Sequence, residues 1–275
     1  MLARREISEE YLAWNQEHLA PQGARWWQRH ARFLNRFGLG WKRRMELPLW
    51  MMRRIGPFGF QPNSLTRVFE YPWAWSVSGV SAGMRVVDLG SGASGFQFAL
   101  ADRGVEVVSV DPLLSPAGMR KKDWSFTEAN LRRLNRAFGG KVRFVRAFLE
   151  EARLDSAAFD RVFSISVFEH IPPEAIQTTV REVHRILKPG GLLVLTLDLF
   201  LDCRPFTHKR ENLYGSNIHA PAFLDDGRFT LVVGRREELC GFAEFDPQAI
   251  LARREEFLVV NDVLTQCMVL QKATA

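Results

Sequence analysis

The sequence predicts an α/β protein with a doubly wound, largely parallel sheet. Two observations support this fold class. Short apolar runs that suit buried strands alternate with helical segments over residues 81–198, and a glycine turn joins the first strand to the first helix. Residues 1–80 precede this unit and are expected to form a helical cap on it.

The glycine turn lies within residues 85–112. An apolar run ends at Asp88, and glycines follow at G-x-G-x-x-G spacing: Gly90, Gly92 and Gly95. After a helical face and a second apolar strand comes Asp111. A glycine turn lets the backbone approach a ligand closely, and an acid after the second strand can accept hydrogen bonds from both hydroxyls of a ribose. The pattern therefore predicts a nucleoside-cofactor site.

Asp88 discriminates between two cofactors that fit this site. The pyrophosphate of NAD would be repelled by a carboxylate two residues before the first glycine, whereas an ammonium group would be attracted. S-adenosylmethionine combines a ribose and an adenine with a sulfonium and an amino acid moiety. The D-x-G-x-G pattern therefore favours S-adenosylmethionine over NAD.

On these residues the chain resembles the class I S-adenosylmethionine-dependent methyltransferases. Residues 159–171, FDRVFSISVFEHI, look like the family's fourth strand and its following turn. Residues 181–191, REVHRILKPGG, look like the helix and turn that lead into a fifth strand at 192–197. The resemblance implies a Rossmann-like, seven-stranded sheet whose last strand, at 265–270, is antiparallel.

The resemblance also implies S-adenosyl-L-methionine as the cofactor and assigns its contacts. They fall on the glycine turn and on the segments after the second, third and fourth strands: Asp88, Gly90, Ser91, Gly92, Asp111, Pro112, Phe148, Leu149 and Ser166. Relatives often place an Asp for the adenine amino group where this chain has Phe148. Either Phe148 packs on the ring or belongs to the core, or Glu150 or Glu151 makes that contact.

A further run before the domain, residues 66–73, is similar to segments that precede the glycine turn in some relatives. By that resemblance Tyr71 closes over the methionine part of the cofactor. Arg67 pairs with its carboxylate, for which a guanidinium fork is geometrically suited. The alternative is a linker in which Tyr71 and Trp73 are packing anchors.

His170 is the first candidate for a catalytic base. It follows the fourth strand, where this fold places its acceptor site, and histidine titrates near neutral pH. The alternative is that Glu169 and His170 only organise the loop. His208 is a second candidate, against an ordinary surface-loop role. Ser166 stands where some relatives carry a further Glu of a metal site, so no metal is expected.

The domain boundaries follow from these motifs. Residues 1–80 are assigned to the helical cap or lid, and residues 81–275 to the catalytic domain. A segment at about 199–245 is expected to insert between the fifth strand and a final strand pair at 257–260 and 263–270. This segment should supply much of the acceptor pocket.

Charge is concentrated ahead of the catalytic domain. Residues 1–80 hold 12 of the 37 Lys and Arg and 6 of the 31 Asp and Glu, so the whole net charge of +6 lies there. One helical stripe is aromatic and apolar: Trp26, His30, Phe33, Leu34 and Phe37. An arginine stripe runs beside it: Arg25, Arg29, Arg32 and Arg36. Such a helix fits a cap, a dimer interface, a peripheral membrane or lipid contact, or, less well, nucleic acid.

The remaining composition excludes several classes. No run approaches the roughly 20 apolar residues that span a bilayer, and the N-terminus lacks the apolar region of a secretory signal. Cys203, Cys240 and Cys267 form no C-x-x-C pair, which disfavours a zinc site and suits a reduced, cytoplasmic protein.

The function expected from these patterns is methyl transfer to a small, apolar metabolite at O, N or C. The acceptor would attack the sulfonium methyl group in line, with help from a histidine base. Two alternatives stay open. One is methylation of RNA or another nucleic acid, although the catalytic half carries no net positive charge. The other is a non-catalytic nucleotide-binding scaffold or membrane-surface protein.

Overall fold

The structure, a computed structural model, describes residues 1–20, 30, 44–61, 63–114, 127–224 and 226–274. The strands are β1 (Arg85–Leu89), β2 (Glu106–Val110), β3 (Val142–Val145), β4 (Phe159–Ile165), β5 (Leu187–Phe200), β6 (Phe229–Val233) and β7 (Val263–Lys272). They form one seven-stranded sheet in the order β3-β2-β1-β4-β5-β7-β6. The pairs from β3 to β5 are parallel, and β7 is antiparallel to both of its neighbours. The predicted doubly wound, seven-stranded sheet with an antiparallel last strand is confirmed.

The helices that position the site are α1 (Glu9–Trp14), α2 (Leu49–Ile55), α3 (Arg67–Ser78), α4 (Phe96–Asp102), α5 (Glu128–Ala137), α6 (Pro173–Ile186) and α7 (Pro247–Ala252). Helix α5 begins at a Thr127 cap that accepts a hydrogen bond from the Asn130 amide at 3.2 Å. Helix α6 has Pro173 at its first position, where a missing amide donor costs nothing. In the described part of the chain, no helix is long and apolar enough to cross a membrane.

Side chains of the parallel strands alternate between two cores, one on each face of the sheet. Val86 of β1 joins the core formed with α3, α4 and α5. Val87 and Leu89 join the core formed with α6 and with residues 218–242. Both faces of the central strands are therefore covered, as expected for strands that read as continuous apolar runs.

The described parts of residues 1–80 pack on the α4 face of the sheet through aromatic side chains. Tyr71 of α3 stacks on Phe96 of α4, with ring centroids 5.3 Å apart. Tyr11 of α1 meets Phe69 edge-to-face at 5.6 Å. The boundary predicted for a cap at residue 80 stays a prediction. The basic amphipathic helix predicted over residues 25–37 lies outside the described residues, apart from His30.

The segment at 199–245 differs from the sequence expectation. It contains β6, so the final antiparallel pair is β6 with β7, and the strand expected at 257–260 does not form as part of the sheet. Residues 256–258 pair instead with the start of the chain. The Leu258 amide donates to Ala3 O at 3.0 Å, and the Arg5 amide donates to Glu256 O at 3.0 Å.

Candidate active site

The glycine turn follows β1 at the carboxyl edge of the sheet. Gly90 and Gly92 have φ values of +66° and +52°, which glycine adopts at little cost. A Cβ on Gly90 would lie 2.5 Å from Cγ1 of Val167, a residue of the turn after β4. The turns after β1 and β4 therefore pack directly against each other, and glycine is the residue that fits at position 90.

Asp111 follows β2 and holds the glycine turn. Its Oδ2 accepts from the Gly92 amide at 2.8 Å, and its Oδ1 accepts from the Leu113 amide at 2.6 Å. Burial raises the pKa of Asp111, and these two amide donors oppose the rise. A carboxylate has about four lone-pair positions, so two of them remain for ligand hydroxyls.

A cavity of about 350 Å³ opens beside Asp111, towards β3 and α5. Leu113, Phe144 and Val145 contribute to its lining. Phe148, after β3, is 49% exposed, whereas the next side chain, Leu149, is buried. The Phe148 ring is therefore accessible from solvent, whereas Leu149 lies in the core.

Asp88, the last acid of β1, is 3% exposed, and its Oδ2 has no hydrogen-bond partner among the described residues. Burial and the charge of Asp111 raise the pKa of Asp88 to about 8, against the opposing effect of Arg67. An unpartnered buried carboxyl oxygen is unfavourable. A cationic group that hydrogen-bonds to it would remove that penalty, so the donor set fits a ligand ammonium group.

Ser91 and Pro112 lie beside these acids. The Ser91 hydroxyl forms a short hydrogen bond with that of Ser109, on β2. Ser91 thereby joins the glycine turn to the second strand. Pro112 directly follows Asp111 at the mouth of the site and is half-buried.

Helix α3 contributes a buried ion pair. Nη1 of Arg67 lies 2.5 Å from Oε2 of Glu70 and donates to the Ser166 hydroxyl at 2.8 Å. Glu70 has no solvent exposure, and its Oε1 accepts from the hydroxyls of Ser166 at 2.6 Å and Thr196 at 2.8 Å. Burial opposes ionisation, but Arg67 and the hydroxyl donors outweigh it and lower the pKa of Glu70.

The Tyr71 ring lies beneath the Arg67 guanidinium, whose carbon is 5.7 Å from the ring centroid. Tyr71 is 2% exposed, and its hydroxyl lies 3.1 Å from that of Ser94, in the glycine turn. Its ring is fixed by the stack on Phe96. The structure therefore places Tyr71 in the core directly behind the glycine turn.

The turn after β4 places His170, which is exposed, beside the loop at 212–217. Nδ1 of His170 lies 2.7 Å from the Tyr214 carbonyl oxygen. A neutral ring that donates from Nδ1 leaves Nε2 as an acceptor. Desolvation lowers the pKa of His170, and the Tyr214 carbonyl partly offsets it.

His208 is exposed on the loop after β5, and its backbone carbonyl accepts from Nε of Arg204 at 3.3 Å. No described hydrogen bond joins His208 to His170 or to the glycine turn. The structure therefore gives His208 the surroundings of a surface-loop residue.

Sequence patterns do not predict two acids of the site, Glu70 and Asp198, and they indicate Glu169 only as a loop residue. The Asp198 amide donates to Oε1 of Glu169 at 3.1 Å. Burial and the charge of Asp198 raise the pKa of Glu169 well above its usual value. Burial and the charge of Glu70 raise the pKa of Asp198 to about 6, although Arg67 opposes this. The available signal was an acid inside the apolar run LLVLTLDLF of β5.

Comparisons with known proteins match this chain to methyltransferases. A family model described as a methyltransferase domain matches residues 87–195. An uncharacterized methyltransferase of Mycobacterium tuberculosis is 27% identical over 220 residues, which cover 70% of this chain and 80% of the relative. A ubiquinone biosynthesis O-methyltransferase of Pseudomonas aeruginosa is 30% identical over 115 residues, which cover 42% of this chain and 44% of the relative.

Among solved structures, a 4+2-cyclase named SpnF superposes with a TM-score of 0.55 at 16% identity, over 85% of this chain and 95% of the cyclase. This likeness concerns the fold alone. It supports the strand order and the antiparallel β7 seen here, and the choice of reaction rests on the site and the sequence relatives.

Proposed function

The chain belongs to the class I S-adenosylmethionine-dependent methyltransferases, and we propose that it methylates a small metabolite bound beside the Phe168–His170 turn. The observation that carries the proposal is how closely the loop at 212–217 covers this turn. A Cβ on Gly215 would lie 2.1 Å from the Glu169 carbonyl oxygen. A loop that closes one side of the turn in this way favours a small molecule over a nucleic acid strand, and a relative named for ubiquinone biosynthesis supports a metabolite.

Residues around the glycine turn would hold S-adenosylmethionine, the methyl donor of this family. We assign the ribose hydroxyls to the remaining lone pairs of Asp111, which has two backbone donors fixing its orientation. The cavity beside Asp111 and the exposed ring of Phe148 support a position for the adenine on the β3 side of the sheet.

The amino acid part of the donor is assigned to Asp88 and Arg67. The unpartnered Oδ2 of Asp88 suits its ammonium group. The hydrogen bonds that the structure describes for Arg67 all use Nη1, so its Nη2 is assigned to the donor carboxylate. Tyr71, packed behind the turn, would support the glycine backbone rather than close over the ligand.

The bound donor supplies an electrophilic methyl group on a sulfonium. The protein's part is to hold the acceptor in line with that group and to exclude water. We assign His170 to accept the proton that an acceptor O–H or N–H loses, because its Nε2 is left free when Nδ1 donates to Tyr214. The lowered pKa favours the neutral ring, which is the form that can take a proton.

Two experiments test this function. Calorimetric titration should show binding of S-adenosylmethionine and S-adenosylhomocysteine but not of NAD, and Asp111→Asn should weaken both by about tenfold or more. The exposed Asp155→Asn should leave both affinities unchanged. Binding of NAD alone would contradict the donor assignment.

The acceptor class needs a second experiment. Protein incubated with methyl-labelled donor should transfer label to a low-molecular-mass metabolite extract and not to RNA. Label in RNA alone would contradict a small-molecule acceptor. The membrane contact and homodimer considered for residues 25–37 lie outside the described residues and form no part of this proposal.

A further inference from the structure

Two carboxyl groups at the carboxyl ends of β4 and β5 are poorly satisfied. Glu169 is 2% exposed, and although its Oε1 accepts from the Asp198 amide, its Oε2 has no partner among the described residues. An unmatched oxygen of this kind costs free energy that a ligand donor would recover. Glu169 therefore has one carboxyl oxygen that contacts the loop and one that can accept a hydrogen bond from a ligand.

Asp198 also lacks strong hydrogen-bond donors, because Glu70 competes with it for the neighbouring hydroxyl groups. Its Oδ1 lies 3.2 Å from the Ser166 hydroxyl, but the same hydroxyl lies closer, at 2.6 Å, to Oε1 of Glu70. A hydroxyl has one proton to donate, so Glu70 takes most of it. The Thr196 hydroxyl also donates to Glu70, at 2.8 Å.

The charge of this cluster is unbalanced towards the negative. Glu70 and Asp198 both interact with one guanidinium, that of Arg67, whose Nη1 donates to Glu70 and Ser166, and Glu169 interacts electrostatically with both of these acids. The raised pKa values of Glu169 and Asp198 are consistent with this imbalance. An anionic group entering here would be repelled, whereas an N–H donor or a cation would be attracted.

The cluster also lies next to the donor site. Val167 lies between Ser166 and Glu169 on the turn after β4. Its Cγ1 would be 2.5 Å from a Cβ placed on Gly90, so the two turns are in close contact. A group bound by Glu169 and Asp198 is thus adjacent to the glycine turn. Among the described residues, no three His, Cys, Asp or Glu side chains are arranged to hold a metal ion, so these acids are not explained as a metal site.

We propose that Glu169 and Asp198 form the recognition site for a basic nitrogen of the methyl acceptor, so that the substrate class is an amine. This rests on the proposed function. The N–H groups of the acceptor donate to Oε2 of Glu169 and to the Asp198 carboxylate. Ion-paired Glu70 keeps its own hydroxyl donors, and its part is to hold Ser166 and Arg67 in place.

The test measures binding with S-adenosylhomocysteine already bound, so that the amine site and the donor site are read separately. Benzylamine and cyclohexylmethylamine serve as amine probes, with benzyl alcohol and benzoate as matched probes, in saturation-transfer NMR. The amines should bind the wild-type protein more tightly than benzyl alcohol, and benzoate should not bind. Asp198→Asn and Glu169→Gln should each weaken amine binding by about tenfold or more.

Matched controls are the exposed Asp155→Asn and Glu174→Gln, which should leave amine binding unchanged. All variants should retain calorimetric binding of S-adenosylhomocysteine. Absence of amine binding, a preference for benzoate, or amine affinity unchanged in both site variants would each overturn the proposal. Loss of S-adenosylhomocysteine binding in the wild-type protein would instead contradict the proposed function itself.

Discussion

At the scale of single residues, the site is defined by carboxyl groups whose surroundings differ. Asp111 has two amide donors, Glu70 has a guanidinium and two hydroxyls, and Asp88 has an oxygen without a partner among the described residues. Burial raises the pKa of Asp88 to about 8, whereas Arg67 and hydroxyl donors lower that of Glu70. The carboxyl groups of Asp111 and Glu70 thus stabilise the fold, whereas the Asp88 carboxyl has an oxygen that can accept a further hydrogen bond.

Asp88→Asn is expected to change the pH dependence of stability. Between pH 4 and about 8 the folded protein keeps a proton on Asp88 that the unfolded chain loses, so this group makes the free energy of unfolding fall as pH rises through that window. Urea unfolding from pH 5 to 9 should therefore show a shallower fall for Asp88→Asn than for the wild-type protein.

Donor binding should respond in the opposite direction. An ammonium group favours ionised Asp88, so the affinity of the wild-type protein for S-adenosylmethionine should rise up to about pH 8, with proton release on binding. Asp88→Asn should bind about tenfold more weakly and lose this rise. Identical pH profiles for the two proteins would refute the role of Asp88, and Asp155→Asn serves as the exposed control.

At the scale of elements, one helix connects the segment before the catalytic sheet to the active site. Glu70 of α3 accepts from Ser166, after β4, and from Thr196, on β5. The ion pair with Arg67 keeps this carboxylate charged in a buried setting. The Glu70 carboxylate therefore joins α3 to two strands at the carboxyl edge of the sheet, in addition to the aromatic packing of α3.

Glu70→Ala should destabilise the protein by about 3–5 kcal/mol, because it leaves the Arg67 guanidinium largely buried without its ionic partner. The matched control is Glu256→Ala. Glu256 also pairs with an arginine three residues earlier, Arg253 at 2.6 Å, but both side chains are about half exposed. That change should cost less than about 1 kcal/mol. Equal losses in urea unfolding would show that burial does not govern the Arg67–Glu70 pair.

At the scale of the whole molecule, the start of the chain is part of the sheet. The Ala3 amide donates to Thr265 O at 2.9 Å, and the Cys267 amide donates to Met1 O at 2.7 Å, so residues 1–3 line the edge of β7 that β6 does not reach. The Leu2 amide donates to Glu238 at 2.8 Å, and Arg4 forms an ion pair with the same carboxylate. These contacts join residues 1–4 to residues more than 230 positions later in the chain.

Deleting residues 2–5 should lower the free energy of unfolding by about 3–5 kcal/mol. The deletion exposes the contacts of the fully buried Leu2. It also removes Arg4 from Glu238, which is 2% exposed and keeps, of its described ion pairs, only the longer one with Arg235 at 3.7 Å. Replacement of the exposed side chains of Arg5 and Glu6 by alanine should change it by less than about 0.5 kcal/mol. If urea unfolding shows that the deletion lowers the free energy of unfolding no more than these substitutions do, a structural role for residues 2–5 is contradicted.

Much of the fold could be predicted because its signals are local. Apolar runs locate β1 to β5 and β7, and glycine spacing locates the turn after β1. Strand β6 was missed because it is only five residues long and Thr230 interrupts it, which leaves an apolar run of three residues. Residues 257–260 read as a strand for the opposite reason: their apolar side chains pack, but against the start of the chain.

For the site, local order along the chain predicts that Asp88, the glycines and Asp111 come together, because β1, the glycine turn, α4 and β2 follow one another directly. By contrast, the pairing of Glu70 with groups 96 and 126 residues away and the contact between Glu169 and Asp198 depend on the tertiary fold. These side chains come from separate crossovers of the sheet. Their proximity follows from strand order and helix packing, which no local pattern of residues encodes.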